Sequence, residues 1–131
     1  FPMYVKAKIR ICFETKEFDD AALVDTGATG LIADETLVGE LGLRGFGKVE
    51  VATLGKKIEC YLTDVNNVVI EDVEIGPRRV VVCRFPPEVK ERLKSLGCSE
   101  KVIVGVSVVE DAGYIPNTVK GALDKVGFLA L

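Results

Sequence analysis

The residues best suited to chemistry are Asp25-Thr26-Gly27-Ala28-Thr29-Gly30. An apolar run, Ala21-Ala22-Leu23-Val24, leads into them, and Leu31-Ile32-Ala33 leads out. A carboxylate is carried from a buried strand into a tight turn of small residues. Gly27 permits a turn that a Cβ would forbid and leaves room for close approach. Thr26 brings a hydroxyl that can both donate and accept. The pattern suits an acid presented for proton transfer.

What is missing narrows the chemistry further. The chain has no histidine, which removes Ser-His-Asp and Cys-His catalysis and histidine-ligated metal hydrolysis. Cys12, Cys60, Cys83 and Cys98 are irregularly spaced, and no pair has metal-ligand spacing. They are expected to be reduced thiols in an intracellular protein; a disulfide stays open for a hyperthermophilic source. An acid-base catalyst here is most simply a carboxylate, and neither metal nor organic cofactor is expected.

The elements that must position Asp25 can be read from periodicity. Residues 4–13 alternate, with Val5, Ala7, Ile9, Ile11 and Phe13 on one face of a half-buried strand. The polar stretch 14–20 reads as a turn, and 21–24 as a short inner strand ending at Asp25. Asp34 is placed to cap a helix over 35–41, with Gly42 to end it. Residues 49–53 and 57–62 read as two strands of a projecting hairpin. Residues 65–75 form a Val- and Ile-rich strand, Gly76-Pro77 is expected to turn the chain, and 78–83 returns. Pro86 and Pro87 open a surface helix over 88–96, capped by Gly97. Val102-Ile103-Val104 is a buried strand into Gly105, followed by about one helical turn. Residues 127–131 read as an apolar terminal strand whose edge needs a partner.

At 131 residues and 48% apolar, the chain reads as one globular domain spanning 1–131. A net charge of -3 without a basic cluster gives no reason to expect a nucleic-acid partner. No apolar run reaches membrane-span length. No signal-peptide pattern opens the sequence, so the expected location is cytoplasmic. The fold class is mainly β: a compact barrel-like sheet with two or three short helices.

Three stretches together resemble the retropepsin-like aspartic proteases, the single-domain family that includes retroviral proteases. They are Ala22-Leu23-Val24-Asp25-Thr26-Gly27-Ala28-Thr29, the hairpin around Leu54-Gly55, and Val102-Ile103-Val104-Gly105 with the later Gly113-Tyr114-Ile115. Asp-Thr-Gly alone is a common tripeptide; its apolar approach and the spacing to Ile103-Val104-Gly105 make the match specific. The resemblance implies an acid-protease β-barrel with a flap hairpin. It makes Asp25 the catalytic aspartate, with Thr26 bonding across to a second subunit and Gly27 beside the carboxylates. Ala28 and Thr29 would meet substrate, and Thr53, Leu54, Gly55 and Lys56 would close over a bound peptide. Gly105 would support the active-site loop. One motif per chain implies a homodimer acting as an endopeptidase on peptide or protein substrates.

The sequence departs from the viral pattern. Thr29 and Val106 stand where viral enzymes often pair Asp with Arg, and both are absent together. The hairpin tip carries only Gly55. An alternative reading is a catalytically silent, protease-like dimer that binds peptides or proteins. Asp-Thr-Gly-Ala-Thr also resembles phosphate-binding turns of actin-like ATPases, but 131 residues leave no room for the second nucleotide-gripping domain.

Overall fold

The computed structural model describes residues 4–53 and 56–127. The expected terminal strand 127–131 lies outside it except for Gly127, as do Leu54 and Gly55 of the hairpin tip. The elements run β1 (Val5–Phe13), β2 (Lys16–Asp25), β3 (Leu31–Asp34), α1 (Glu35–Leu41), β4 (Gly45–Thr53), β5 (Lys56–Ile70), β6 (Val73–Cys83), α2 (Pro87–Ser95), β7 (Val102–Gly105), α3 (Val106–Asp111), β8 (Tyr114–Asn117) and β9 (Ala122–Lys125).

The main sheet has the order β1-β2-β7-β3-β6-β5-β4, and β1 also pairs with β5. That pairing closes six strands into a barrel and leaves β4 attached outside the ring. Closure removes most free sheet edges. Val5, Ala7, Ile9 and Ile11 point inward as the alternation predicts, and pack with Ala22, Val24, Leu31 and Val104. The partners β2–β7 and β3–β6 are parallel; the other barrel pairs are antiparallel.

A second, smaller core lies on the opposite face of β2, β3 and β7. Leu23, Ile103 and Ile32 stand side by side across the three strands. Phe85, Leu93 and Cys98 bury against them. Leu93 is 1% exposed and is the residue that docks α2. Both faces of β2 are therefore covered just before Asp25, through Val24 on one side and Leu23 on the other.

Several sequence expectations are corrected. The polar stretch 14–20 is mostly strand: only Glu14 and Thr15 turn, and Phe13 pairs with Lys16. Tertiary pairing along the whole of β1 overrides the polar composition, and Phe18 is buried. The chain does not turn at Gly76-Pro77. It turns at Glu71-Asp72, closed by the Ile70–Val73 pair, with Glu71 at φ 56. The Tyr114 hydroxyl donates to Asp72 at 2.7 Å and pins that turn. Gly76, at φ 81, sits in an irregularity of the β5–β6 ladder, where the Asn67 side chain accepts its N–H at 3.1 Å. After α3 the chain forms the hairpin β8–β9, which the periodicity did not show. Finally, Cys60 and Cys83 are not free thiols. They face each other across β5 and β6, with Cα atoms 4.7 Å apart, and form a disulfide. Cys12 and Cys98 are free.

Candidate active site

Asp25 is the last residue of β2, directly after buried Val24, and pairs in parallel register with Gly105 of β7. Its Oδ1 accepts the Gly27 N–H at 2.9 Å, and its backbone carbonyl accepts the Ala28 N–H at 3.1 Å. The turn therefore holds the carboxylate by its own backbone. A Cβ on Gly27 would sit 3.3 Å from that same oxygen, so glycine keeps the contact unstrained. Asp25, Thr26 and Gly27 are all exposed.

The junction of β7 and α3 straps this turn. The N–H groups of Gly105, Val106 and Ser107 donate in turn to the carbonyls of Gly30 (2.8 Å), Ala28 (2.9 Å) and Thr29 (3.1 Å). The Ser107 hydroxyl also donates to the Thr29 carbonyl. A Cβ on Gly105 would stand 2.3 Å from the Thr29 carbonyl carbon and 2.6 Å from the Gly30 nitrogen. Only glycine allows the two backbones to approach so closely. Val106 thus bonds Ala28 through its backbone, while the Thr29 carbonyl takes Ser107. A ladder of main-chain hydrogen bonds and one serine hydroxyl joins the two segments that hold Thr29 and Val106.

Ser107 was missed by sequence reasoning, and so was the wider role of Asp34. Beyond capping α1 through the Thr36 N–H (3.1 Å) and the Thr36 hydroxyl (2.6 Å), Asp34 accepts the Phe85 N–H at 2.8 Å and faces Lys90 at 3.2 Å. It is 1% exposed. Burial pushes its carboxyl up, but the Thr36 hydroxyl, the Phe85 and Thr36 N–H groups and Lys90 outweigh that and hold it below the usual carboxylate range. Asp34 ties β3, α1 and the approach to α2 together. Its helix-cap signal was legible; its partner Phe85, 51 residues on, was not.

Of the other expected site residues, Ala28 and Thr29 lie in the strapped turn. Thr53 and Lys56 pair at the outer end of β4–β5, with Leu54 and Gly55 outside the described residues. An open cleft of about 700 Å³ runs beside this hairpin, lined by Glu35, Phe46, Lys48, Glu59, Cys60 and Tyr61. It does not reach Asp25, which stands on the open surface of the single chain. Among the described residues no group of three His, Cys, Asp or Glu side chains is placed to hold a metal ion. Among the described residues no helix is long and apolar enough to cross a membrane.

No curated protein matches the chain. Among solved structures, it is similar to a retropepsin-like aspartic protease from Rickettsia conorii, with a TM-score of 0.50 and 20% identity over 82% of this chain and 70% of that one. That likeness supports the fold: a mainly β, six-stranded barrel of retropepsin type, with three helices among the described residues. The sequence profile of the aspartyl protease family matches residues 10–108, a span that runs from β1 through the Asp25 turn to the Gly105–Ser107 strap. The chain belongs to the aspartyl protease family, with a retropepsin-like fold.

Proposed function

We propose that the protein is an aspartic endopeptidase that works as a homodimer. The observation that carries this reading is Asp25 itself. It is a single carboxylate, oriented by the Gly27 N–H and exposed, at the head of a turn whose carbonyls of Ala28, Thr29 and Gly30 are held by the N–H groups of Val106, Ser107 and Gly105. An acid-base pair needs a second carboxylate, and a symmetry-related Asp25 supplies one at a two-fold axis. Thr26, exposed beside it, would bond across to the partner's turn.

Two carboxylates meeting at such an axis share one proton and titrate as a unit. The ionised member takes a proton from a water held between them as that water attacks the scissile carbonyl carbon. The protonated member donates to the carbonyl oxygen. Collapse of the tetrahedral species breaks the C–N bond, and a proton passes to the leaving nitrogen. The hairpin β4–β5, with Thr53, Leu54, Gly55 and Lys56 at its tip, would cover a peptide lying extended along Ala28 and Thr29 and pairing as an added strand. The chemistry itself calls for no metal or organic cofactor.

The test is subunit mixing on a peptide library at acidic pH. Asp25→Asn is nearly isosteric, so it should fold and lose turnover. If wild-type and Asp25→Asn chains exchange freely, activity should follow the square of the wild-type fraction. A linear dependence with exchange confirmed, or full activity of Asp25→Asn alone, overturns the shared-site reading. Tight peptide binding without turnover by the wild type would identify a silent binding domain instead.

A further inference from the structure

Strand β5 changes partners along its length. Residues 61–70 pair with β6, from Tyr61–Val82 to Ile70–Val73. Residues 56–60 pair only with β4, from Thr53–Lys56 to Val49–Cys60. Cys60 therefore marks the point where the hairpin leaves the barrel. The disulfide to Cys83 lies one step past the last β5–β6 pair, at that branch. The opposite arm of the hairpin is irregular at the same level. The β4–β5 register shifts between Phe46 and Val49, and Gly47 between them has φ 64. A hinge line thus runs through Gly47 on one arm and Cys60 on the other, and only the Cys60 arm is covalently pinned.

The pin is anchored to the site's supporting hub. Cys83 ends β6, pairs with Asp34 of β3, and packs in the cluster of Phe85, Leu93, Leu23 and Ile103 that backs the Asp25 strand. Cys60 is 4% exposed, whereas Cys83 is the more accessible of the two. The free thiols are poorly suited to exchange into this bond, since burial pushes the pKa of both Cys12 and Cys98 up and lowers their thiolate fraction.

We infer that the Cys60–Cys83 disulfide is a redox-controlled pin on the hinge of the β4–β5 hairpin. The disulfide holds the hairpin root to the barrel; reduction frees that root at Gly47 and Cys60, so that the β4–β5 pairs beyond it open more often. An external dithiol does this in two steps. Its thiolate attacks the Cys83 sulfur, breaking the S–S bond and releasing Cys60 as a thiolate that takes up a proton. Its second thiol then displaces Cys83, so the dithiol is oxidised to a disulfide and both cysteines become thiols. The consequence for substrate rests on the proposed peptidase reading, in which this hairpin covers the peptide; the hinge itself does not.

The test is amide hydrogen exchange on the full chain, oxidised and after reduction with dithiothreitol, with Cys60→Ser/Cys83→Ser as an independent form of the unpinned state. Exchange at 49–53 and 56–60 should rise at least about tenfold on reduction and in the double variant, with β1, β2 and residues 61–70 unchanged. Unchanged hairpin exchange in both forms overturns the inference. So does an equal rise across the whole barrel, which would make the bond a general staple. Peptide cleavage measured on the same samples speaks separately to the peptidase reading: no cleavage in either redox form defeats that reading and leaves the exchange result standing.

Discussion

Replacing Gly105 with alanine adds one methyl group where the active-site turn and its strap meet. The new Cβ would lie 2.3 Å from the Thr29 carbonyl carbon, 2.4 Å from its oxygen and 2.6 Å from the Gly30 nitrogen. Ordinary van der Waals contact begins at 3.4 Å, so the two backbones must part by about 1.1 Å (3.4 less 2.3). All three clashing atoms are main chain, and no side-chain rotation relieves them. Overpacking of this kind costs about 1–3 kcal/mol. Stretching the hydrogen bonds from Gly105, Val106 and Ser107 adds up to about 1 kcal/mol each. A loss of about 2–5 kcal/mol is expected, read by urea denaturation at one fixed protomer concentration. Gly30→Ala on the same turn is the control: its Cβ meets nothing within 4 Å, so a change below about 0.5 kcal/mol is expected. Under the proposed peptidase function, because Asp25 pairs with Gly105, a shift of about 1 Å should also lower peptide cleavage by roughly 100-fold in the Gly105→Ala variant. Equal stability of Gly105→Ala and wild type, or equal damage from both alanines, would refute the claim that this close approach holds the site.

Two further substitutions probe the supporting elements. Asp34→Asn leaves Lys90 facing an amide and weakens the bonds from Thr36 and Phe85, so a loss of about 2–3 kcal/mol is expected near neutral pH. Since the folded carboxyl titrates below its unfolded value, its contribution is full above that unfolded value and fades as pH falls through the folded one. The difference between Asp34→Asn and wild type in denaturant melts should accordingly narrow below about pH 4, and a constant gap down to pH 2 would contradict the assignment. Gly39 is exposed inside α1 with open space around its Cβ position, so Gly39→Ala should raise stability by about 0.5–1 kcal/mol in thermal melts without altering cleavage. A loss of stability there would mean that α1 needs glycine for a reason other than space.

The parts of this protein legible in the sequence are those whose causes are local. The alternation of Val5, Ala7, Ile9 and Ile11 names the inner face of β1, because strand geometry sends successive side chains to opposite faces. Asp34 and Gly42 bound α1 through capping chemistry, and Gly42 takes the left-handed conformation at φ 69 that glycine favours. Asp25 and Gly27 announce a carboxylate held in a tight turn. Tertiary structure decided where distant strands meet. Gly76-Pro77 carries a local turn signal. The long β5–β6 ladder instead absorbs it as an irregularity, with Asn67 satisfying the Gly76 N–H, and the Tyr114 hydroxyl holds the turn at Glu71-Asp72. Cys60 and Cys83 are 23 residues apart and become neighbours only because β5 and β6 pair in one particular register. Ser107 reaches Thr29 across 78 residues, and Asp34 reaches Phe85 across 51. Such contacts have no period or spacing to betray them, because they are set by closure of the barrel. That closure depends on the summed pairing of six strands, and no single segment encodes it.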